Sequence, residues 1–345
     1  MGVVAVISPW NWPLHLSMRS VAPALALGNA VVLKPSVDTP VTGGLLIARM
    51  FEEAGLPPGV LNVVVGKSDC IGDAMVEHDV PRVISFTGSM EVGRRLGQLA
   101  VGARMMKRAM LELGGNAALI VTDDVDLDQA VKIAVVGKFL HGGQMCIAVN
   151  RIIVANALHD RFVDAFVARC RTLKIADPEN AETAFGPVIN RHQLKRLTDV
   201  LAKAHRDGAR QRLGGEAKGL ILPPQVFDQV TPEMDIARLE NFGPIAPILR
   251  ATSDDDAVAI ANSTDFGLSS AVLCREQGRA LSIAQRIDAG MTHINDIPAI
   301  DLPQLPFGGD KNSGIGRFGS FGVIEAFTTE HWISVQHGPS HYPFC

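Results

Sequence analysis

Cysteine is scarce and scattered: there are five in 345 residues (Cys70, Cys146, Cys170, Cys274 and Cys345), with no CxxC pair. That pattern excludes a disulfide framework, fits a reducing, cytoplasmic setting and leaves a single reactive thiol as the point of interest. Ten histidines include no HExxH, and no Cys/His cluster has zinc spacing, so no metal is expected. No apolar run reaches the ~18 residues of a membrane span. The apolar start MGVVAVISPW lacks the basic flank and small-residue cleavage site of a leader, and reads instead as a buried strand. Positive charge is not in excess either; a net charge of -4 argues against a general nucleic-acid partner. Internal repeats and low-complexity tracts are missing. What remains is 47% hydrophobic and 20% charged, enough for a sizeable core, and the length suggests about two domains.

The first third alternates apolar, β-rich runs (3–8, 30–34, 60–65, 82–87 and 108–113) with helical stretches. The runs are too continuous to be half-exposed, so they predict strands covered on both faces in a parallel, doubly wound sheet. A second α/β pattern follows, with strands over 118–122 and 151–155 and charged surface helices over 158–174 and 190–207. Residues 254–261 predict a helix opened by an acidic cap, and 328–336 alternate as a late strand. The Gly-, Pro- and Phe-rich stretch 303–322 suggests an ordered loop over a site.

Several short motifs can carry chemistry, and each has a plain alternative. In GGQMC (142–146), Cys146 is either an exposed nucleophile after a Gly-Gly turn or simply a packed cysteine. In ELGGN (112–116), Glu112 ends an apolar strand as either a solvated residue or a partly buried general base. In PWNWP (9–13), Asn11 follows a strand C-terminus and is either an oxyanion donor or a helix N-cap. FTGSMEVG (86–93) is either a pyrophosphate turn at a helix N-terminus or an ordinary βα turn. Lys34 is either a cofactor contact or a surface lysine.

Together PWNWP, VLKPS, FTGSMEVG, LELGGN, GGQMC, ENFGP and PFGGDKNSGIGR stand in the order and spacing of the aldehyde dehydrogenase superfamily, and the chain resembles that superfamily from Gly2 to about Gln336. The wording around PLHLSMRSVAPALALGN and EEAGLPPGVLNVVVG is similar to its benzaldehyde/vanillin dehydrogenase group. The resemblance implies an α/β fold with a Rossmann-like cofactor domain (1–113), a catalytic domain (114–312) and a return segment with an oligomerisation strand (313–345). It implies NAD(P)-dependent oxidation of an aromatic aldehyde. Cys146 would be the nucleophile, Glu112 the base that activates water, and Asn11 with the Cys146 N–H the oxyanion donors. Lys34, Ser36, Gly88, Ser89, Gly93, Glu240 and Phe242 would hold NAD or NADP. Trp12, His15, Leu16, Arg19 and Phe307 would line the aldehyde pocket.

Three departures matter. Val37 stands where NAD-preferring members commonly carry a ribose-binding glutamate, and the adjacent Asp38 is offset by one residue, so NADP should be tolerated. Asn116 replaces a usual lysine, with little effect expected. Met1 falls almost on the first strand, so the chain reads as a fragment or a short form. A homodimer or homotetramer is expected if the N-terminal section is present. A semialdehyde dehydrogenase, or a truncated inactive homologue acting as an assembly partner, stands as the alternative; esterase activity through the same thiol is an expected side reaction.

Overall fold

The computed structural model describes residues 1–344. The chain opens β1 (Val3–Ile7), α1 (Pro13–Ala26), β2 (Ala30–Lys34), α2 (Leu46–Glu53), β3 (Leu61–Val63), α3 (Ser68–Glu77), β4 (Val83–Thr87), α4 (Met90–Gly102), β5 (Arg108–Glu112). Side chains of a strand alternate between faces. On β1, Val4 and Val6 enter one cluster with Val31 and Phe327, while Ala5 and Ile7 enter another with Ile84 and Leu111. Both faces of this strand are therefore core, which is why its sequence shows no polar alternation.

The second half runs β6 (Ala117–Val121), α5 (Leu127–Phe139), β7 (Val149–Ala155), α6 (His159–Cys170), α7 (Arg191–Arg206), β8 (Arg210–Leu213), β9 (Gln225–Asp228), α8 (Asp235–Arg238), β10 (Ile245–Ala251), α9 (Asp254–Asn262), β11 (Phe266–Gly267), β12 (Ser269–Leu273), α10 (Gln277–Ala284), β13 (Met291–Ile294), β14 (Asp310–Lys311), β15 (Gly314–Ile315) and α11 (Gly322–Phe327). Two main sheets result. The first has the order β15-β5-β4-β1-β2-β3, and the second β13-β12-β6-β7-β10-β9-β8. Strands β1 to β5 are mutually parallel, and winding reverses between β1 and β4, the kind of switch point where open α/β sheets bind ligands. The second sheet is parallel except at β8–β9. No helix among the described residues is long and apolar enough to cross a membrane.

Three sequence expectations are corrected. Helix α9 is capped by Ser253, whose hydroxyl accepts from the Asp256 N–H at 3.1 Å, while Asp254, Asp255 and Asp256 occupy the first turn. The acidic run therefore favours the helix through its dipole rather than by capping it. Residues 328–336 form no strand, because nothing among the described residues offers them a ladder; Trp332, Ile333 and Val335 stand exposed. Helix α7 is not purely a surface helix: Gln193 and Leu197 are buried on the face turned to the ENFGP segment.

Several elements of the second half escaped sequence reading, and one later, short element bears directly on the site. Strand β15 is two residues long, too short for a periodic signal, yet it pairs antiparallel with β5 and sets Gly314 opposite Glu112. The end of the chain thus closes the edge of the first sheet.

Candidate active site

Four parallel strands end on one edge, and the motif residues follow those ends. Asn11 comes after β1, Lys34 and Ser36 at and after β2, Gly88 and Ser89 after β4, and Glu112 closes β5. The thiol arrives from the second sheet. Helix α5 ends at Phe139 and runs into a tight turn over Leu140–Gly143, in which His141, Gly142 and Gly143 all take positive φ. A Cβ at position 143 would lie 2.4 Å from the Gly243 carbonyl, so glycine is required there on two counts. The chain then presents Cys146 at the seam between the sheets, against the cluster of Val6, Phe307 and Phe318.

The two glycines of ELGGN have the same steric logic. A Cβ at 114 would press on the Glu240 carboxylate at 2.6 Å, and one at 115 would lie 2.1 Å from the Cys146 carbonyl. This segment therefore packs closely against both the Cys146 backbone and the Glu240 carboxylate.

A cavity of about 410 Å³ opens here. Asn11, Leu16, Gly88, Ser89, Cys146, Glu240 and Phe242 share its wall, along with Gln193 and Arg196 from α7. The Asn11 amide donates to the Gln144 carbonyl at 3.0 Å, which ties β1 to the cysteine loop. An amide nitrogen has two hydrogens, so one remains for the cavity. Asn11 is not a helix cap: Trp12 holds that position.

Glu112 is 1% exposed, not solvated, because β15 lies across the strand end. Its Oε1 has no hydrogen-bond partner among the described residues. Burial raises its carboxyl to about 8, against the pull of Arg19 and Arg317. Burial also pushes the Cys146 thiol well up, and the Glu112 and Glu240 charges push it further, with Arg19 opposing. Glu240 is lifted to about 7 by burial, offset by the Gly115 N–H donated at 2.8 Å and by the charges of Arg196 and Lys138. The site thus holds a protonated thiol beside two carboxyls that titrate near neutrality.

The remaining candidates sit apart from this cavity. Gly93 is buried in α4 against Leu113, where a Cβ would meet the leucine at 2.1 Å. Lys34 is buried, with its ammonium donating to Ser68 Oγ at 3.2 Å, and Ser36 accepts from the Asp38 N–H at 3.3 Å. Trp12 and His15 line an adjoining cavity of about 680 Å³ with Asn11, Met18, Thr42 and His141. Arg19 and Phe307 line neither. The Arg19 guanidinium lies 3.9 Å over the Phe307 ring and pairs with Asp301, because a buried cation needs both cover and a counter-charge.

Sequence reasoning passed over several contributors. Arg196 donates to the Glu240 carbonyl at 3.0 Å and also to the Asn241 carbonyl. Gln193, one turn before it, donates to the Phe242 carbonyl at 2.7 Å. Their i,i+3 spacing was the available signal, hidden by a charged helix that looked solvated. Asn116 also has a larger part than expected. It donates to the Ala237 carbonyl and accepts from Asn150 and from the fully buried Arg151, whose other donors reach the Ile260 and Ala261 carbonyls. Asn150 in turn receives the Asn241 N–H at 2.9 Å, so the network ends beside Glu240. Asn116→Ala would orphan Arg151 Nε and leave Asn150 Nδ2 only the Leu239 carbonyl; a loss of roughly 2–4 kcal/mol is expected from the denaturant midpoint.

Comparison with known proteins gives a consistent result. Residues 1–333 match the family model described as the aldehyde dehydrogenase family. A vanillin dehydrogenase of Corynebacterium glutamicum is 51% identical over 335 residues, covering 97% of this chain and 69% of that protein. The crystal structure of a NAD-dependent benzaldehyde dehydrogenase from the same species superimposes with a TM-score of 0.89 at 47% identity, covering 99% and 69%. That of a NAD-dependent aldehyde dehydrogenase from Sinorhizobium meliloti reaches 0.96 at 37% identity, covering 100% and 68%.

Proposed function

This chain belongs to the aldehyde dehydrogenase family, and on that premise we propose that it oxidises an aromatic aldehyde to the carboxylic acid with NAD or NADP, through a thioester on Cys146. The observation that carries this reading is one cavity wall shared by Cys146 and Asn11, with Glu112 buried at the end of β5 and its Oε1 unpaired among the described residues. Cys146 adds to the aldehyde carbon. The free Asn11 amide hydrogen and the Cys146 N–H stabilise the oxyanion of the thiohemiacetal. Glu112 takes the thiol proton, gives it up to solvent, and as the regenerated carboxylate takes a proton from the water that releases the acid.

The residues present suit a nicotinamide nucleotide. Gly114 leaves room for the Glu240 carboxylate at the cavity wall, where it can accept from ribose hydroxyls. Gly88 and Ser89 precede α4, a thirteen-residue helix whose N-terminal end favours phosphate. Phe242 is braced edge-on by Trp10, with ring centroids 5.5 Å apart. Bound there, the cofactor supplies the two-electron acceptor; the protein supplies position and exclusion of water.

Aromatic preference rests on Trp12. Its half-exposed ring meets His15 and His141 edge-on at 6.4 and 6.0 Å and offers a flat apolar wall beside Asn11. The semialdehyde reading would need a free cation for the substrate carboxylate, and Arg19 is already neutralised by Asp301. Reduced-nicotinamide absorbance with benzaldehyde, succinate semialdehyde or no aldehyde tests the proposal; oxidation of the semialdehyde alone would sink it.

The cofactor choice gives a separate expectation. Val37 is half-exposed beyond β2 and offers no carboxylate to a ribose or to repel a 2′-phosphate. We expect kcat/KM with NADP within about tenfold of that with NAD, a gap of about 1.4 kcal/mol; a preference for NAD of a thousandfold would count against it. A reducing, cytoplasmic setting keeps Cys146 a thiol, and the exposed apolar segment around Trp332 is the proposed pairing strand of a homo-oligomer.

A further inference from the structure

Two buried groups are left without partners among the described residues, and they are of opposite kind. One is Oε1 of Glu112, an acceptor once the carboxyl is ionised; the other is NH1 of Arg19, a donor. The Arg19 side chain is 9% exposed. Its NH2 is spent on Asp301, whose Oδ2 also lies 2.7 Å from His15 Nε2. The guanidinium sits 3.9 Å over the Phe307 ring and 5.7 Å from the Phe318 ring. These two phenylalanines exchange backbone hydrogen bonds at 2.8 and 2.7 Å, and the segment they bracket carries β15 alongside Glu112. Arg19 therefore packs on the neck of the same loop that shuts water away from the Glu112 carboxyl.

We propose that Arg19 is a positioning residue for the proposed base: lining neither cavity, it uses its unspent donor and its charge to sustain the ionised form of Glu112, and Asp301 sets how strongly it does so. The inference rests on the role given to Glu112 above. A carboxylate formed where water is excluded needs a cation or a donor to replace its hydration. The other charges near Glu112 suit this less well. Arg317, on the return loop, is about one-third exposed and is occupied by Asp310 and by the Gly309 and Gly316 carbonyls. Glu91, Arg94 and Arg95 of α4, which packs on β5, are exposed. Arg19 draws the Glu112 carboxyl down more than Arg317 does, while Asp301 pushes it up. The same cation opposes the rise of the Cys146 thiol. Arg19 and Asp301 thus act on the base with opposite signs, although they form one ion pair.

That opposition gives the test: pH profiles of kcat for the wild type, Arg19→Met, Arg19→Lys and Asp301→Asn. The wild-type climb is expected near pH 8. Arg19→Met should move it up by about one pH unit and cut the rate at pH 7 about tenfold; Arg19→Lys, which keeps the charge, should restore much of the difference. Asp301→Asn should move the climb down. A merely structural ion pair would lower activity in both variants without moving the midpoints apart. Alkylation of Cys146 by iodoacetamide, followed by peptide mass, reads the same base without cofactor and should shift in the same directions. Should Arg19→Met fail to fold, Asp301→Asn carries the test alone. Midpoints that stay put, or that move the same way in Arg19→Met and Asp301→Asn, overturn the role of Arg19 while leaving Glu112 as the base. A climb that persists in Glu112→Gln overturns both.

Discussion

Cys146→Ala is expected to abolish aldehyde oxidation, by about 10⁴-fold or more in kcat/KM. The argument is one of supply. A thioester needs a sulfur at the carbonyl carbon, and among the described cysteines only Cys146 lines the cavity that also holds Asn11 and Glu240. Cys170 and Cys274 are buried elsewhere, and Cys70 is exposed on α3. The thiol lies at a seam rather than inside a strand, so its loss removes little packing and melting should change little. Cofactor binding, read by quenching of tryptophan fluorescence, should survive. Turnover in this variant would show that the sulfur is not the nucleophile, and the proposed chemistry would fall with it.

The second large effect concerns Glu112. Glu112→Gln keeps the shape and removes the base, and a fall in kcat of about 10²- to 10⁴-fold is expected. The working form is the carboxylate, and its pKa is raised by burial to about 8, so the wild-type rate should climb as pH rises through that value and then level. The climb should be missing from the residual activity of the variant. Stability runs the other way. A carboxyl raised in the folded state from an ordinary 4.5 contributes fully below that ordinary value, and its contribution is lost as pH rises to about 8. Glu112→Gln should therefore melt higher than the wild type at pH 8 and at about the same temperature at pH 4. A variant that keeps both full turnover and the pH climb would show that another group activates water.

Motif reading and structure agree where the controlling physics is local. Continuous apolar runs placed the five parallel strands to within a residue or two, because a strand with two covered faces needs no polar positions. The burial of Glu112 was not legible in ELGGN. That depends on β15, about two hundred residues later in the chain and too short to leave a pattern. The surface look of α7 concealed Gln193 and Arg196 for a related reason: polar side chains that bond buried carbonyls are spelled with the same letters as solvated ones. Asp301 lay just before the Gly-, Pro- and Phe-rich stretch, in a loop whose composition says nothing about which side chain meets Arg19.

By itself the sequence determined the element order of the first five strands, their parallel winding and the residue types delivered to their ends, since hydrophobic periodicity and turn chemistry act over a few neighbours. Only the tertiary structure decided which of those residues lose their water and meet. Desolvation of Glu112, Glu240 and the Cys146 thiol, and the capture of Arg19 by Asp301, depend on contacts between segments far apart in the chain. Burial and charge pairing set the chemistry of these groups, and neither is a property of a residue in isolation.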